Sequence, residues 1–264
     1  MGVMSLIAKI ASENNIKIIF ASEVGSKIHG WNSHHSDIDI KFIFTRSVSD
    51  YLSIEHMDDC IDIETVLNGK KVDIKGYDIR KFCGMLHKHS PETLEMLTSR
   101  HTIMNCPIIT DIKNNELMTF YPNTSLHYFS NMASNILDRE LSGSHWRITR
   151  FLLLMKFIFQ HQYVEKYNEY TSTNLTQLMD IFKNVFPIQL YEFINNAIEK
   201  RLSGDQDILC NEKIKNMIKD ELARQKSLKW TNTFDKSVKR FDKYIRLAVE
   251  LELTNNHYSE MNRG

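Results

Sequence analysis

The chain has 264 residues, 42% hydrophobic and 25% charged, which excludes fibrous and disordered classes and leaves material for one large domain or two smaller ones. Its 33 Lys and Arg balance 33 Asp and Glu, so no global field draws a polyanion or a membrane surface, and any basic site must be local. Cys60, Cys83, Cys106 and Cys210 stand far apart without a C-x-x-C pair, which argues against a zinc cluster or a disulfide framework and for thiols kept reduced.

In chain order, "MGVMSLIAKIASENN" is too short in its apolar part and too soon charged for a signal peptide, and no later run reaches the ~20 apolar residues of a membrane span. The expectation is a soluble cytoplasmic protein with no membrane partner. From Ile16 to about Tyr77 the texture is short β-type runs, "IKIIFASEV", "DIDIKFIF", "DIETVL" and "KKVDIKGY", the last two joined by Asn68-Gly69, the signal of a tight type I′ hairpin. Beyond Arg80 the apolar spacing turns helical through "KFCGMLHKH", "ETLEMLTSR", "SLHYFSNMASNILDREL", "WRITRFLLLMKFIFQHQYVEKY", "NLTQLMDIFKNVF" and "LYEFINNAIEKRL". The pattern predicts an α+β protein: a small sheet with helices over residues 1–110, then a helical bundle over 111–264 with a frayed tail.

The chemistry-bearing residues sit in the sheet region. Gly25 and Ser26 opening a short helix would expose backbone N–H groups and a hydroxyl, and Lys27 adds a cation, the makings of a phosphate-holding turn, although a plain strand-to-helix turn is the commoner reading. Asp37 and Asp39, at i and i+2 of one strand, share a face about 7 Å apart. Two carboxylates near a phosphate turn are the arrangement that holds Mg²⁺ against a nucleoside triphosphate. If Asn68 and Gly69 form the hairpin turn, Leu67 pairs with Lys70, Val66 with Lys71, Thr65 with Val72 and Glu64 with Asp73. Opposed like charges destabilise a strand pair unless a cation sits between them or their pKa values move. Bound metal is the simplest neutraliser; a one-residue slip of the hairpin, or full solvation of the carboxylates, is the alternative.

These segments, "GSKIHG", "SDIDIKFIF" and "VDIKGYDIRKF", resemble the nucleotidyltransferases of the DNA polymerase β superfamily, whose pattern is a Gly-Ser turn, an Asp-x-Asp strand and a third Asp on a neighbouring strand. Within it the chain is most similar to the branch found in RNA-repair gene neighbourhoods and in phages. There the third Asp precedes a Y-D-x-R-K-F segment and a helix with an N-P-x-x-x-E-x-L pattern, here Tyr77 to Phe82 and Ser90 to Leu97, with Ser90 in place of the asparagine. The resemblance covers roughly residues 16 to 100. It implies a polymerase-β-like mixed sheet forming a catalytic domain at 1–110, triphosphate contacts from Gly25 and Ser26, metal binding by Asp37 and Asp39, and Asp73 as third ligand and base. The implied cofactor is Mg²⁺ or Mn²⁺, the substrate an NTP, and the reaction transfer of an NMP with release of pyrophosphate. An RNA 3′ end such as that of a tRNA is the leading acceptor, a protein hydroxyl the second and a small molecule the third; a non-catalytic nucleotide-binding module is the alternative from another class.

The helical part adds candidates. Read as one helix, "SHWRITRFLLLMKFIF" places Arg147 and Arg150 on a common face, with Lys156 following, as cations for triphosphate oxygens or as a solvated face. From Asn211 to Arg246 eleven Lys and Arg stand against five Asp and Glu, interleaved with Trp230, Phe234, Phe241 and Tyr244, which suits base stacking or the apolar stripe of a terminal helix. His34 and His35 read as a polar loop rim rather than metal ligands, since hard Mg²⁺ prefers oxygen.

Overall fold

Alternating apolar and charged residues in the first half of the chain become a five-stranded sheet in the computed structural model, which describes residues 2–31, 36–88, 90–116, 122–171, 174–228 and 237–261. His34, His35, Trp230 and Phe234 lie outside the described residues. The strands are β1 (Lys17–Val24), β2 (Ile38–Thr45), β3 (Cys60–Leu67), β4 (Lys70–Asp78) and β5 (Thr102–Asn105), in the order β3-β4-β2-β1-β5. β2 and β4 run parallel and the other pairs antiparallel, so the sheet is mixed, as the family resemblance implies.

One face of this sheet is apolar. Ala21, Ile40, Phe42, Phe44, Val72 and Ile74 share a core with Leu6, Ile7 and Ile10 of α1 (Val3–Glu13), whose apolar residues fall on one helical stripe. Each such side chain taken from water contributes roughly 1.5–3 kcal/mol, so this layer fixes the register of β2 and β4. The opposite face carries charge and is crossed by α5 (Pro91–Thr98): Ser22 Oγ donates to the Met96 carbonyl at 3.3 Å and Ser99 Oγ to that of Glu23 at 2.7 Å.

Two compact units divide the chain. The first is Met1–Gly25, Asp37–Thr119 and Asp235–Gly264, and it also contains α3 (Val48–Tyr51), α4 (Ile79–His87), α6 (Pro107–Glu116) and α12 (Lys239–Met261). α12 is held there by buried Phe241 and Tyr244, the Tyr244 hydroxyl donating to Glu116 at 3.0 Å. These two aromatics are therefore the apolar stripe of the terminal helix rather than base-stacking platforms.

The second unit is Ser26–Ser36 and Phe120–Phe234. It contains α2 (Ser26–His29), α7 (Pro122–Asn135), a π-helical turn at Ile136–Glu140, β6 (His145–Arg147), α8 (Ile148–Tyr167), α9 (Leu175–Ile181), α10 (Ile188–Ser203), β7 (Asp207–Leu209) and α11 (Glu212–Ser227). α8 is the central helix, burying Phe151, Leu152, Leu154, Met155, Ile158 and Phe159. Arg224 of α11 grips both Glu165 oxygens of α8 at 2.9 and 2.8 Å, a bidentate pair that fixes the two helices side by side. Among the described residues no helix is long and apolar enough to cross a membrane.

Candidate active site

The charged face of the sheet is organised in cross-strand rows. Register places Glu64 opposite Asp73, Asp73 beside Asp39, and Asp39 opposite Val24, so three carboxylates form one row across β3, β4 and β2. One step along lies Asp62–Lys75–Lys41–Ser22, and beyond it Cys60–Tyr77. The hairpin pairing follows the sequence expectation residue for residue. Asn68 and Gly69 occupy the turn with φ of 51° and 79°, the doubly left-handed conformation of a type I′ turn.

The rows differ in how their charge is met. In the second, Lys41 Nζ donates to Glu92 Oε1 of α5 at 2.6 Å, and the Tyr77 hydroxyl reaches the same oxygen at 2.5 Å. Burial alone would raise the Glu92 carboxyl, but Lys41, Tyr77 and Lys75 outweigh it and hold it below the usual carboxylate range. In the first row the ion pairs among the described residues lie at the outer end: Lys71 Nζ is 3.2 Å from Glu64 and 3.1 Å from Asp73. The Glu64–Asp73 opposition is therefore bridged by a lysine, where bound metal is the simplest neutraliser the sequence suggests.

Asp39 is left with the conflict. Burial, then the charges of Asp73 and Asp37, push its carboxyl up to about 6, Lys41 opposing and Glu95 adding to the rise. Asp37 lies just outside the strand, because β2 begins at Ile38, and it is exposed. Asp37, Asp39 and Asp73 are thus brought into mutual electrostatic reach on the sheet face.

Gly25 belongs to the same place for two reasons. Its φ of +74° is left-handed, and a Cβ built on it would stand 1.9 Å from Asp39 Oδ2. The end of β1 therefore runs its bare backbone against the Asp39 carboxylate, a closeness the Gly-Ser signal alone does not disclose.

The remaining candidates lie in the second unit. Ser26 and Lys27 open α2. Lys156 is buried, bonded to His29 Nδ1 rather than set on a solvated face. Arg147 and Arg150 do not share a helical face: α8 begins at Ile148, and Arg147 is the last residue of β6, paired opposite Asp207 of β7. Short-range ribbon pairing overrides the helical period there. Arg150 is ion-paired with Glu140 at 2.8 Å.

The Y-D-x-R-K-F segment proves architectural. Asp78 caps α4 by accepting from the Arg80 amide at 2.8 Å and also receives the Tyr51 hydroxyl at 2.8 Å, while Lys81 pairs with Asp59 at 2.8 Å and Phe82 is buried. Lys41 and Glu92, absent from the sequence candidates, were discoverable in part, since Lys41 is i+2 from Asp39 and must share its face.

The donor chemistry suits Mg²⁺ or Mn²⁺: hard carboxylate oxygens, of which Asp73 Oδ1 is shielded from solvent and met by Lys71 Nζ at 3.1 Å. Among the described residues, however, no three His, Cys, Asp or Glu side chains form a ready-made metal cage.

The model of the RNA repair pathway DNA polymerase beta family, RlaP, matches residues 2–246. The uncharacterized protein YcgL of Bacillus subtilis (strain 168) is 26% identical over 207 residues, covering 77% of each chain. A nucleotidyltransferase-like protein from Exiguobacterium sibiricum 255-15 aligns over 97% of this chain and 92% of its own at 11% identity with a TM-score of 0.34, a likeness too loose to bear on fold or function.

Proposed function

The chain belongs to the RNA repair pathway DNA polymerase beta family, and from that premise we propose that it transfers an NMP from an NTP to a hydroxyl acceptor, an RNA 3′ end foremost. The observation that carries this reading is the Asp39–Asp73 pair, side by side in register with Asp37 adjacent, in which burial and the two neighbouring aspartates outweigh Lys41 and push the Asp39 carboxyl up. A charge conflict of this kind persists where function needs it.

The acceptor oxygen attacks the α-phosphorus in line, the bond to the β-phosphate oxygen breaks, pyrophosphate leaves with the electron pair, and Asp73 takes the acceptor proton. Asp37 and Asp39, with Asp73, would hold the divalent cation. When bound, Mg²⁺ or Mn²⁺ supplies neutralisation of phosphate charge and a lowered pKa at the acceptor hydroxyl. Gly25, having no Cβ, lets the end of β1 pass against the Asp39 carboxylate, which brings its backbone beside the carboxylates of the site. We assign residues 1–110 the catalytic role, and keep for Gly25 and Ser26 the triphosphate contact that the resemblance implies, with Lys27 as the cation beside that turn. Support is thinner for Arg147, Arg150 and Lys156 as triphosphate cations: the first two are exposed and the third is buried beside His29.

For the acceptor, the exposed cations of α12, Lys239, Lys243 and Arg246, are the candidates; Arg240 is excluded because it pairs with Glu116 at 3.2 Å. The test is to incubate the protein with each α-labelled NTP and total cellular RNA, then digest with nuclease or protease. Nuclease-sensitive label, absent in Asp39→Asn and reduced at rising salt less steeply in Lys239→Glu/Lys243→Glu than in the parent, supports the reading. Protease-sensitive label would move the acceptor to protein, and no label with any NTP would overturn it.

A further inference from the structure

Lys71 joins the two carboxylates that the hairpin sets face to face. Two residues before Asp73 on β4, it projects to the same face of the sheet. Its Nζ stands 3.1 Å from Asp73 Oδ1, 3.5 Å from Asp73 Oδ2 and 3.2 Å from Glu64 Oε2. Asp73, then Glu64, hold this ammonium above the usual lysine range, so it keeps its charge. The two partners differ in where they stand. Asp73 lies beside Asp39 and meets the ammonium with an oxygen shielded from solvent, whereas Glu64 lies across β4 from Asp39 with its side chain 71% exposed.

Resting on the reading above, we propose that Lys71 is a positioning residue that occupies the Asp73 carboxylate until the divalent cation arrives, then yields Asp73 Oδ1 to it and stays on Glu64. Two physical differences favour the exchange. The Lys71 side chain is 43% exposed, and an ion pair so open to water is weak and readily given up. A divalent ion carries twice the charge of an ammonium and approaches a carboxylate oxygen at about 2.1 Å, so it has the stronger claim on Asp73 Oδ1. The proposal also gives Glu64 a role. A like charge directly opposite Asp73 is unfavourable by itself, yet it offers the ammonium a second partner at the same bridge, so Lys71 leaves Asp73 without leaving the hairpin.

The test is a double-mutant cycle of Lys71→Met, Glu64→Gln and the two combined, with Lys71→Gln as a second neutral variant and Asp39→Asn as reference. Each is compared with the parent for binding of Mn²⁺ in the presence of an α,β-methylene nucleoside triphosphate, and for apo melting temperature. Lys71→Met and Lys71→Gln should bind Mn²⁺ about 1.5- to 5-fold more tightly, the range over which an exposed ion pair counts. Glu64→Gln should bind it more weakly than the parent, because Lys71 is then left on Asp73, and that loss should shrink in the double variant, where no ammonium remains to be held aside. Unchanged or weaker Mn²⁺ binding in both Lys71 variants, with or without a lowered apo melting temperature, makes the bridge merely structural and overturns the proposal. So does a Glu64→Gln variant with no loss, or with a loss of equal size whether or not Lys71 is present. The wider reading survives either result if Asp39→Asn still loses binding; a parent that binds no Mn²⁺ with the analogue overturns both.

Discussion

Two rows of charged residues lie one step apart on the same face of the same sheet, and they are built to opposite rules. In the row Asp62–Lys75–Lys41, two lysines stand between two anions, Asp62 at one end and Glu92 of α5 at the other, 2.6 Å from Lys41. In the row Glu64–Asp73–Asp39, like charges are placed side by side, and Lys71 serves only the outer pair. The same three strands carry a satisfied row and a frustrated one, so the frustration is not a general property of the face. It marks where a ligand is expected to bring positive charge.

Neutralising one row or the other should separate the two roles. The largest effect belongs to the carboxylate row: Asp39→Asn and Asp73→Asn should each lower the transfer rate by about 10²–10⁴-fold while leaving the apo melting temperature equal or higher, as steady-state rates and calorimetry would show. A variant that loses activity only because it unfolds would erase the distinction.

The neutralised row should respond in the reverse sense. Glu92→Gln breaks the partly buried contacts to Lys41 and Tyr77 and should destabilise the fold by about 1–3 kcal/mol, measured by chemical denaturation, with Mg²⁺–NTP affinity of the folded fraction retained.

A smaller effect appears in pH. The Asp39 carboxyl stands at about 6 when folded against 3.8 for the free group, so the folded state binds the proton more tightly. The stability this contributes is fully present below the unfolded value and is lost as pH rises through the folded one. Between about pH 4 and 7 the apo protein should lose on the order of 1–2 kcal/mol, the full linkage value being reduced by solvent screening. Asp39→Asn should flatten that slope; an unchanged slope would remove Asp39 from the conflict.

Much of the first row was legible before any coordinates. Asn68-Gly69 fixes a two-residue turn, and a two-residue turn fixes which residues face each other, so Glu64 opposite Asp73 follows from counting. The pairing of β2 with β4 did not follow, because a parallel neighbour is chosen by the apolar face it shares with α1, not by any local signal. Local pattern also fails for the three-residue β6 and β7 and the four-residue β5, too short to show a period and partnered far along the chain. The terminal helix itself was legible, but its placement was not: Tyr244 of α12 meets Glu116 across 128 residues of sequence, which brings that helix into the first unit. At the site, the residue types and the Gly25 turn could be read directly, whereas the 1.9 Å approach that a Cβ on Gly25 would make to Asp39 exists only once β1 and β2 are paired.

The account's central claim is that the frustrated row is completed by a metal-bound nucleotide. The most direct measurement is the melting temperature of the parent and of Asp39→Asn, each with and without Mg²⁺ and an α,β-methylene nucleoside triphosphate. A ligand that binds only the folded state stabilises it by mass action, about 2.7 kcal/mol at a hundred times its Kd. The account predicts a clear rise for the parent, an apo Asp39→Asn protein at least as stable as the parent, and little or no rise in that variant. A parent that does not respond, together with an Asp39→Asn protein that melts lower without ligand, would contradict it and make the aspartates structural.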